Sequence, residues 1–196
     1  MYHHTYVISI GLRIFERTMK LYLDDIYYIN TDEPIDISIP LSDSAKNPKA
    51  WYLDQPKFEP VRTENYVGSI KEGGNVNFRN IQFNPHGHGT HTECLGHITP
   101  EIYSVNYTLK KFFFRASLRT IKPDQKMNED GELDFIITRE QLDLKDIKSE
   151  ALIIRTLPNT QDKRSMNYSS KNPTYLDVLC AKKIYQAGIQ HFLIDL

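Results

Sequence analysis

Cysteine is scarce. Cys94 and Cys180 are the only two in 196 residues, too few for a disulfide framework, so a reducing, cytoplasmic setting is expected. Long apolar runs are missing too. No stretch approaches the roughly eighteen apolar residues that a membrane span requires, so no membrane role is expected. Blocks of one charge are also absent. The formal net charge is -1, and no basic run exceeds a pair such as Lys110-Lys111. That argues against a nucleic-acid surface. Neither repeats nor low-complexity tracts are visible. What remains is an ordinary globular balance, 40% hydrophobic and 25% charged, in a chain long enough to bury one core.

The first residues, "MYHHTYVISIGLRIFERTM", have an apolar stretch without a basic flank or a small-residue cleavage site, so they do not read as a signal peptide. Met19 opens a natural strand start, and residues 1–18 read as a leader preceding a domain over 19–196. Strand signals cover Leu21–Ile29, Asp36–Leu41, Val76–Phe83, Phe112–Ile121 and Ala151–Thr156. Phe112–Ile121 reads as a central strand, and "LSDSAKNPKAWYLDQPKFEPV" as a long ordered loop. "KPDQKMNEDGELDF" fails as a calcium loop, because Lys126 occupies a ligand position, and Glu129-Asp130-Gly131 reads as a turn. After Pro173 the apolar period becomes helical, with Gly188 at the C-cap, and "IQHFLIDL" follows as a buried strand. The chain stops inside that strand, which predicts that the natural domain continues beyond Leu196. The whole reads as α/β, a mixed sheet with a few helices.

The chemistry concentrates in "NPHGHGTHTECLGH". Of seven histidines, His86, His88, His91 and His97 lie here, with Glu93 among them. Imidazoles and a carboxylate are the ligand set of zinc, with manganese an alternative. An extended segment would put His86 and His88 on one face, and His91 and Glu93 on one face. Gly87 and Gly89 would let the ligands converge. The absence of a thiolate from the set favours a catalytic site, where bound water loses a proton near neutrality and a further histidine shuttles it. Cys94 reads as a small packed residue.

These residues resemble a known pattern. "GTHTECLGH" is similar to the His-x-Gly-Thr-His-x-Asp-x-x-x-His signature of the cyclase family, whose best-known members are bacterial kynurenine formamidases. "PIDISIPL" resembles the family's opening strand, and "AKKIYQAGIQHFLIDL" the helix and strand that precede its D-x-P-S-x-D ending. The resemblance implies a swivelling β/β/α domain, a homodimer and metal-dependent hydrolysis of an amide or cyclic amide, as in arylformamidases. By position, His91 and Glu93 match metal ligands. His97 matches a second-metal ligand or general base, and Thr90 an orienting threonine. The family's first histidine aligns with Gly87, so His86 or His88 must serve through a one-residue shift, by a bulge at Gly87 if it is His86. Glu93 replaces an aspartate and Leu95 a common proline. Asn172-Pro173 and Leu179 stand where the family carries a further histidine and glutamate, with Asp177 a possible substitute.

Two other readings belong beside this one. A truncated or degenerate family member would bind metal without catalysis. A cupin-like iron site would need a distant histidine, for which His191 is the candidate apart from the terminal His3 and His4. Trp51 and Tyr52 either cap an aromatic substrate or anchor their loop in the core. Arg155 and Arg164 could meet a substrate carboxylate.

Overall fold

The computed structural model describes residues 19–196; the leader expected over 1–18, with His3 and His4, lies outside them. The chain divides into two units, residues 1–38 and 39–196. The described part of the first unit is an antiparallel hairpin of β1 (Lys20–Tyr22) and β2 (Tyr28–Asn30). The single strand expected over Leu21–Ile29 is broken by Asp24. Its carboxylate accepts the Ile26 and Tyr27 backbone N–H groups at 2.9 and 2.8 Å, offering the chain a turn in place of a ladder. Nor is Asp36–Leu41 a strand, since Asp36 binds the backbone N–H and hydroxyl of Ser38 in the same way.

In the second unit the elements follow as β3 (Lys57–Pro60), β4 (Arg62–Thr63), β5 (Tyr66–Val67), β6 (Arg79–Gln82), α1 (Pro85–His88), α2 (Val105–Thr108), β7 (Ala116–Ile121), β8 (Asp124–Met127), β9 (Leu133–Ile137), β10 (Ala151–Thr156), β11 (Tyr175–Leu176), α3 (Val178–Gln186) and β12 (His191–Ile194). β10 runs parallel between β7 and β12, β8, β9 and β11 form a second sheet, and β3 pairs with β6. The architecture is mixed α/β, with small sheets and few helices.

The core sits under β10. Its residues alternate, so Leu152 and Ile154 face inward to Cys180 and Ile184 of α3, joined by Ile121, Ile137, Leu142 and Leu144. Each fully buried aliphatic side chain contributes about 1.5–3 kcal/mol. α3 starts where Asp177 accepts the Leu179 N–H at 2.8 Å and ends at Gly188, whose φ of 72° closes the last turn. The turn between β8 and β9 is held by Asn128, whose side chain accepts from the backbone of Asp130 and Glu132.

Two strand readings need correction. β7 begins only at Ala116 and is an edge strand, and Phe112 and Phe113 before it are exposed. β12 forms as expected, yet Phe192 and Leu193 are partly exposed because β12 is the opposite edge. Apolar composition signals a strand without revealing its place in the sheet.

Candidate metal centre

The site is built from a single helical turn and the extended chain after it. Asn84 caps α1, its side chain accepting the His86 N–H at 2.9 Å, and Pro85 fits the first helical position. That turn decides the fate of two histidines. In a strand, residues two apart share a face; in a helix they are rotated by about 200°. His86 and His88 therefore point apart, and the expected extended geometry with a bulge at Gly87 gives way to a turn of helix.

His88 faces inward. Its Nδ1 accepts the Asn84 N–H at 2.8 Å and its Nε2–H donates to the Asp54 carbonyl at 2.7 Å, a tautomer fixed by its partners. Its own carbonyl accepts from buried Asn47 at 3.1 Å. With both ring nitrogens engaged and the residue 6% exposed, His88 has no lone pair to offer a metal. The expectation of His88 as a ligand is corrected on that ground.

His86 faces the other way and meets Glu93. A single carboxylate oxygen, Glu93 Oε1, lies 2.8 Å from His86 Nδ1, 2.9 Å from His91 Nε2 and 3.5 Å from His97 Nε2. The His86 ring stacks on His97 and meets His91 edge-on, both with centroids 4.6 Å apart. One donor atom each from His86, Glu93 and His97 lies within 4.8 Å of the others, a group that could hold a metal ion. The contact with His91, opposed next by burial and helped by the contact with His86 and the charges of the rings, holds the Glu93 carboxyl below its usual range.

Donor chemistry supplies a test of fit. His91 Nδ1 sits 3.1 Å from the Gly89 carbonyl and donates to it, which leaves Nε2, protonated or bare, facing Glu93 at 2.9 Å. A lone pair and a carboxylate oxygen at 2.9 Å require positive charge nearby, either a ring proton or a cation. The group fits a divalent ion. All four side chains remain between a quarter and half exposed, so the site is open to solvent and substrate.

The supports are remote in sequence. Ala50 N–H donates to the Gly87 carbonyl at 2.9 Å, and Leu53 packs so close that a Cβ on Gly87 would lie 2.4 Å from its Cδ1. A side chain at Gly87 would therefore have to displace Leu53 from the 50–53 turn. Gly96 is required more strictly, since a Cβ there would meet the Tyr103 carbonyl at 2.5 Å. Trp51 and Tyr52 at the tip of the 50–53 turn have φ of 57° and 58°, left-handed values that cost about 1–2 kcal/mol per residue without glycine. Both side chains are exposed, so they do not anchor the loop in the core.

The family model described as "Putative cyclase" matches residues 35–196. The chain belongs to the cyclase family. No curated protein and no solved structure matches it.

The positions where the resemblance puts further cyclase ligands are otherwise employed. Asn172 donates to Asp134 at 2.9 Å, and Asp177 caps α3. His191 stacks on Phe114 at 4.0 Å at the start of β12 and is not among the residues grouped with Glu93, the place a cupin-like site would need it. The Thr90 hydroxyl makes no hydrogen bond among the described residues. Sequence reasoning missed Asn47 and Asp54, which hold α1 in place, and no local pattern around "KNPKAWYLD" signals either.

Proposed function

We propose that this cyclase is a metal-dependent hydrolase of an amide or cyclic amide, arylformamidase-like in the manner of the kynurenine formamidases it resembles. The observation that carries the reading is the convergence of three imidazoles on one oxygen of Glu93. His86, His91 and Glu93 would hold the ion, leaving the His97 ring uncoordinated beside them. Zinc is the proposed ion and manganese the alternative. Bound there, a divalent cation supplies Lewis acidity toward a carbonyl oxygen and acidifies water.

The chain's own residues do the rest. The Gly89 carbonyl accepts from His91 Nδ1 and so turns Nε2 toward Glu93. Asn84 and the α1 turn aim His86, while His88 locks that turn from behind. His97 makes the longest contact to Glu93 and is the most exposed ring of the three, which suits it to take a proton from the attacking water. It then returns that proton to the departing amine nitrogen as the carbonyl–nitrogen bond breaks. The swivelling β/β/α arrangement and a homodimer belong to the same reading through the family resemblance, and a cytoplasmic setting through the scarcity of cysteine. Among the described residues no helix is long and apolar enough to cross a membrane.

Metal analysis of the purified protein, paired with hydrolysis of formanilide, tests the proposal. Bound zinc or manganese that disappears in Glu93→Gln together with turnover is the expected result; metal-free protein with unaltered turnover in that variant overturns it. A second reading, metal binding without catalysis, is favoured by Asn172 and Asp177 being tied to Asp134 and α3. It predicts bound metal with no turnover of any formamide.

A further inference from the structure

α1 is four residues long, a single turn, and a helix that short has no stability of its own in water. Its direction is therefore imposed from outside. The imposing bonds come from residues 47–54. Ala50 N–H donates to the Gly87 carbonyl at 2.9 Å, Asn47 donates to the His88 carbonyl at 3.1 Å, and the Asp54 carbonyl accepts from His88. That strip is irregular as well, so what orders the metal turn lies one step further back.

Residues 47–54 lean on residues 166–169, through a parallel bridge between Lys49 and Asn167. Lys49 N–H donates to the Met166 carbonyl at 3.1 Å, and Tyr168 N–H donates to the Lys49 carbonyl at 2.7 Å. Tyr52 N–H adds a bond to Ser169 Oγ at 2.9 Å. This second strip is secured in turn by Lys163. The Lys163 ammonium donates to Thr156 Oγ1 at 3.1 Å and to the Asp195 carbonyl at 2.5 Å. Its backbone carbonyl accepts from the Tyr168 hydroxyl at 3.2 Å. Thr156 is the buried last residue of β10, and its N–H and hydroxyl both donate to Asp195, one residue past β12. Lys163 is thereby fastened to the carboxyl ends of two core strands.

We propose that Lys163 is a positioning residue for the metal turn, holding the 166–169 strip, which holds the 47–54 strip, which aims His86. The proposal rests on the metal-dependent reading for its effect at the ion, though not for the bonds that carry it. Lys163 acts through Lys49 and Ala50 rather than on the ion. Its bonds suit that task, because charge-assisted bonds are stronger than neutral ones and the side chain is only 21% exposed.

Lys163→Met keeps the packed stem and deletes the ammonium. In the metal-free full chain the amide chemical shifts of Ala50, Gly87 and His88 should move, while those of the β8–β9 hairpin stay. A loss of overall stability alone would move none of them. Calorimetric zinc titration of the folded variant should show affinity about tenfold below the wild type. Ala50→Pro removes the N–H that reaches Gly87, so it cuts the same route nearer the ion. Combined with Lys163→Met it should weaken zinc no more than the stronger single variant does. Should Lys163→Met not fold, Tyr168→Phe deletes one hydroxyl of the route and should give a change of about threefold in the same direction. Unmoved shifts at Gly87 and His88, unchanged zinc affinity, or additive losses in the double variant overturns the proposal. Moved shifts in a protein whose wild type binds no zinc uphold the route and remove the metal reading.

Discussion

The β7–β10–β12 sheet with α3 and the Asn84–His97 segment are both made of short elements, and they are held by opposite means. Around β10 the order comes from burial. Leu152, Ile154 and Cys180 are fully enclosed, and the backbone follows where their side chains pack. Around α1 few apolar side chains are enclosed. Order there comes from named hydrogen bonds: Asn84 to His86, His88 to Asp54, Asn47 to the His88 carbonyl and Ala50 to Gly87. Non-directional burial tolerates approximate substitutes, whereas a directional network fails at a single atom. A site that must aim several nitrogens at one point needs the second kind of order, set on a scaffold supplied by the first.

The sharpest break in the first region is Leu152→Ala. Leu152 is 0% exposed at the centre of the sheet, so the lost burial and the cavity should cost about 2–5 kcal/mol. Denaturant unfolding measures it, and a cost under about 1 kcal/mol would mean that β10 is not the structural centre.

The matching break in the second region is His88→Ala. It removes the partners of the Asn84 N–H and the Asp54 carbonyl, at about 0.5–1.5 kcal/mol for each hydrogen bond. It should also weaken zinc binding, although His88 offers no nitrogen to the ion, because α1 is what aims His86. Calorimetric zinc titration of the folded variant distinguishes the two accounts: affinity equal to the wild type would mean that α1 holds without His88.

A third variant sharpens the comparison within the scaffold. Asp134 accepts from Tyr175 at 2.6 Å, Asn172 at 2.9 Å and Asn128 at 3.1 Å, and these bonds, Tyr175 first, hold its carboxyl below the usual 3.8. A carboxyl whose folded value lies below its unfolded one contributes full stability above the unfolded value. That contribution is lost as pH falls through the folded value. Melting temperature should therefore fall with acid more gently below about pH 4 in Asp134→Asn than in the wild type. Parallel curves would show that the β9–β11 join does not depend on the ionised carboxylate.

How much of this was legible in the sequence follows the same division. Ala151–Thr156 was read correctly to the residue because an apolar β-branched run carries its own signal. α3 was legible from its period and from Gly188. The side-chain types that converge were equally plain, since Glu93, His91 and His97 announce their chemistry wherever they fold. What could not be read was orientation. Whether His86 and His88 share a face depends on a helical or an extended period over four residues, too short for either to declare itself. The partner that claims His88 is the carbonyl of Asp54, 34 residues away and without side-chain identity. Asp24 was misread for the opposite reason: a local side-chain bond outweighed an apolar pattern on both sides of it.

The smallest effect on stability is expected at His86, and it bears most directly on what the histidine segment is for. His86 is half-exposed, and apart from its contacts with Glu93 and the neighbouring imidazoles it packs against little. His86→Ala should change stability by about 0.5 kcal/mol or less in metal-free protein. A ligand that binds only the folded state raises the melting temperature with its concentration, so zinc should stabilise the wild type progressively. In His86→Ala that response should be lost or displaced to much higher zinc, while His88→Ala starts from a lower melting temperature and retains part of it. The two histidines stand two residues apart in one short turn, yet one variant should respond through the ion and the other through the fold. Identical zinc responses in both variants would dissolve the distinction between an aimed nitrogen and the residue that aims it.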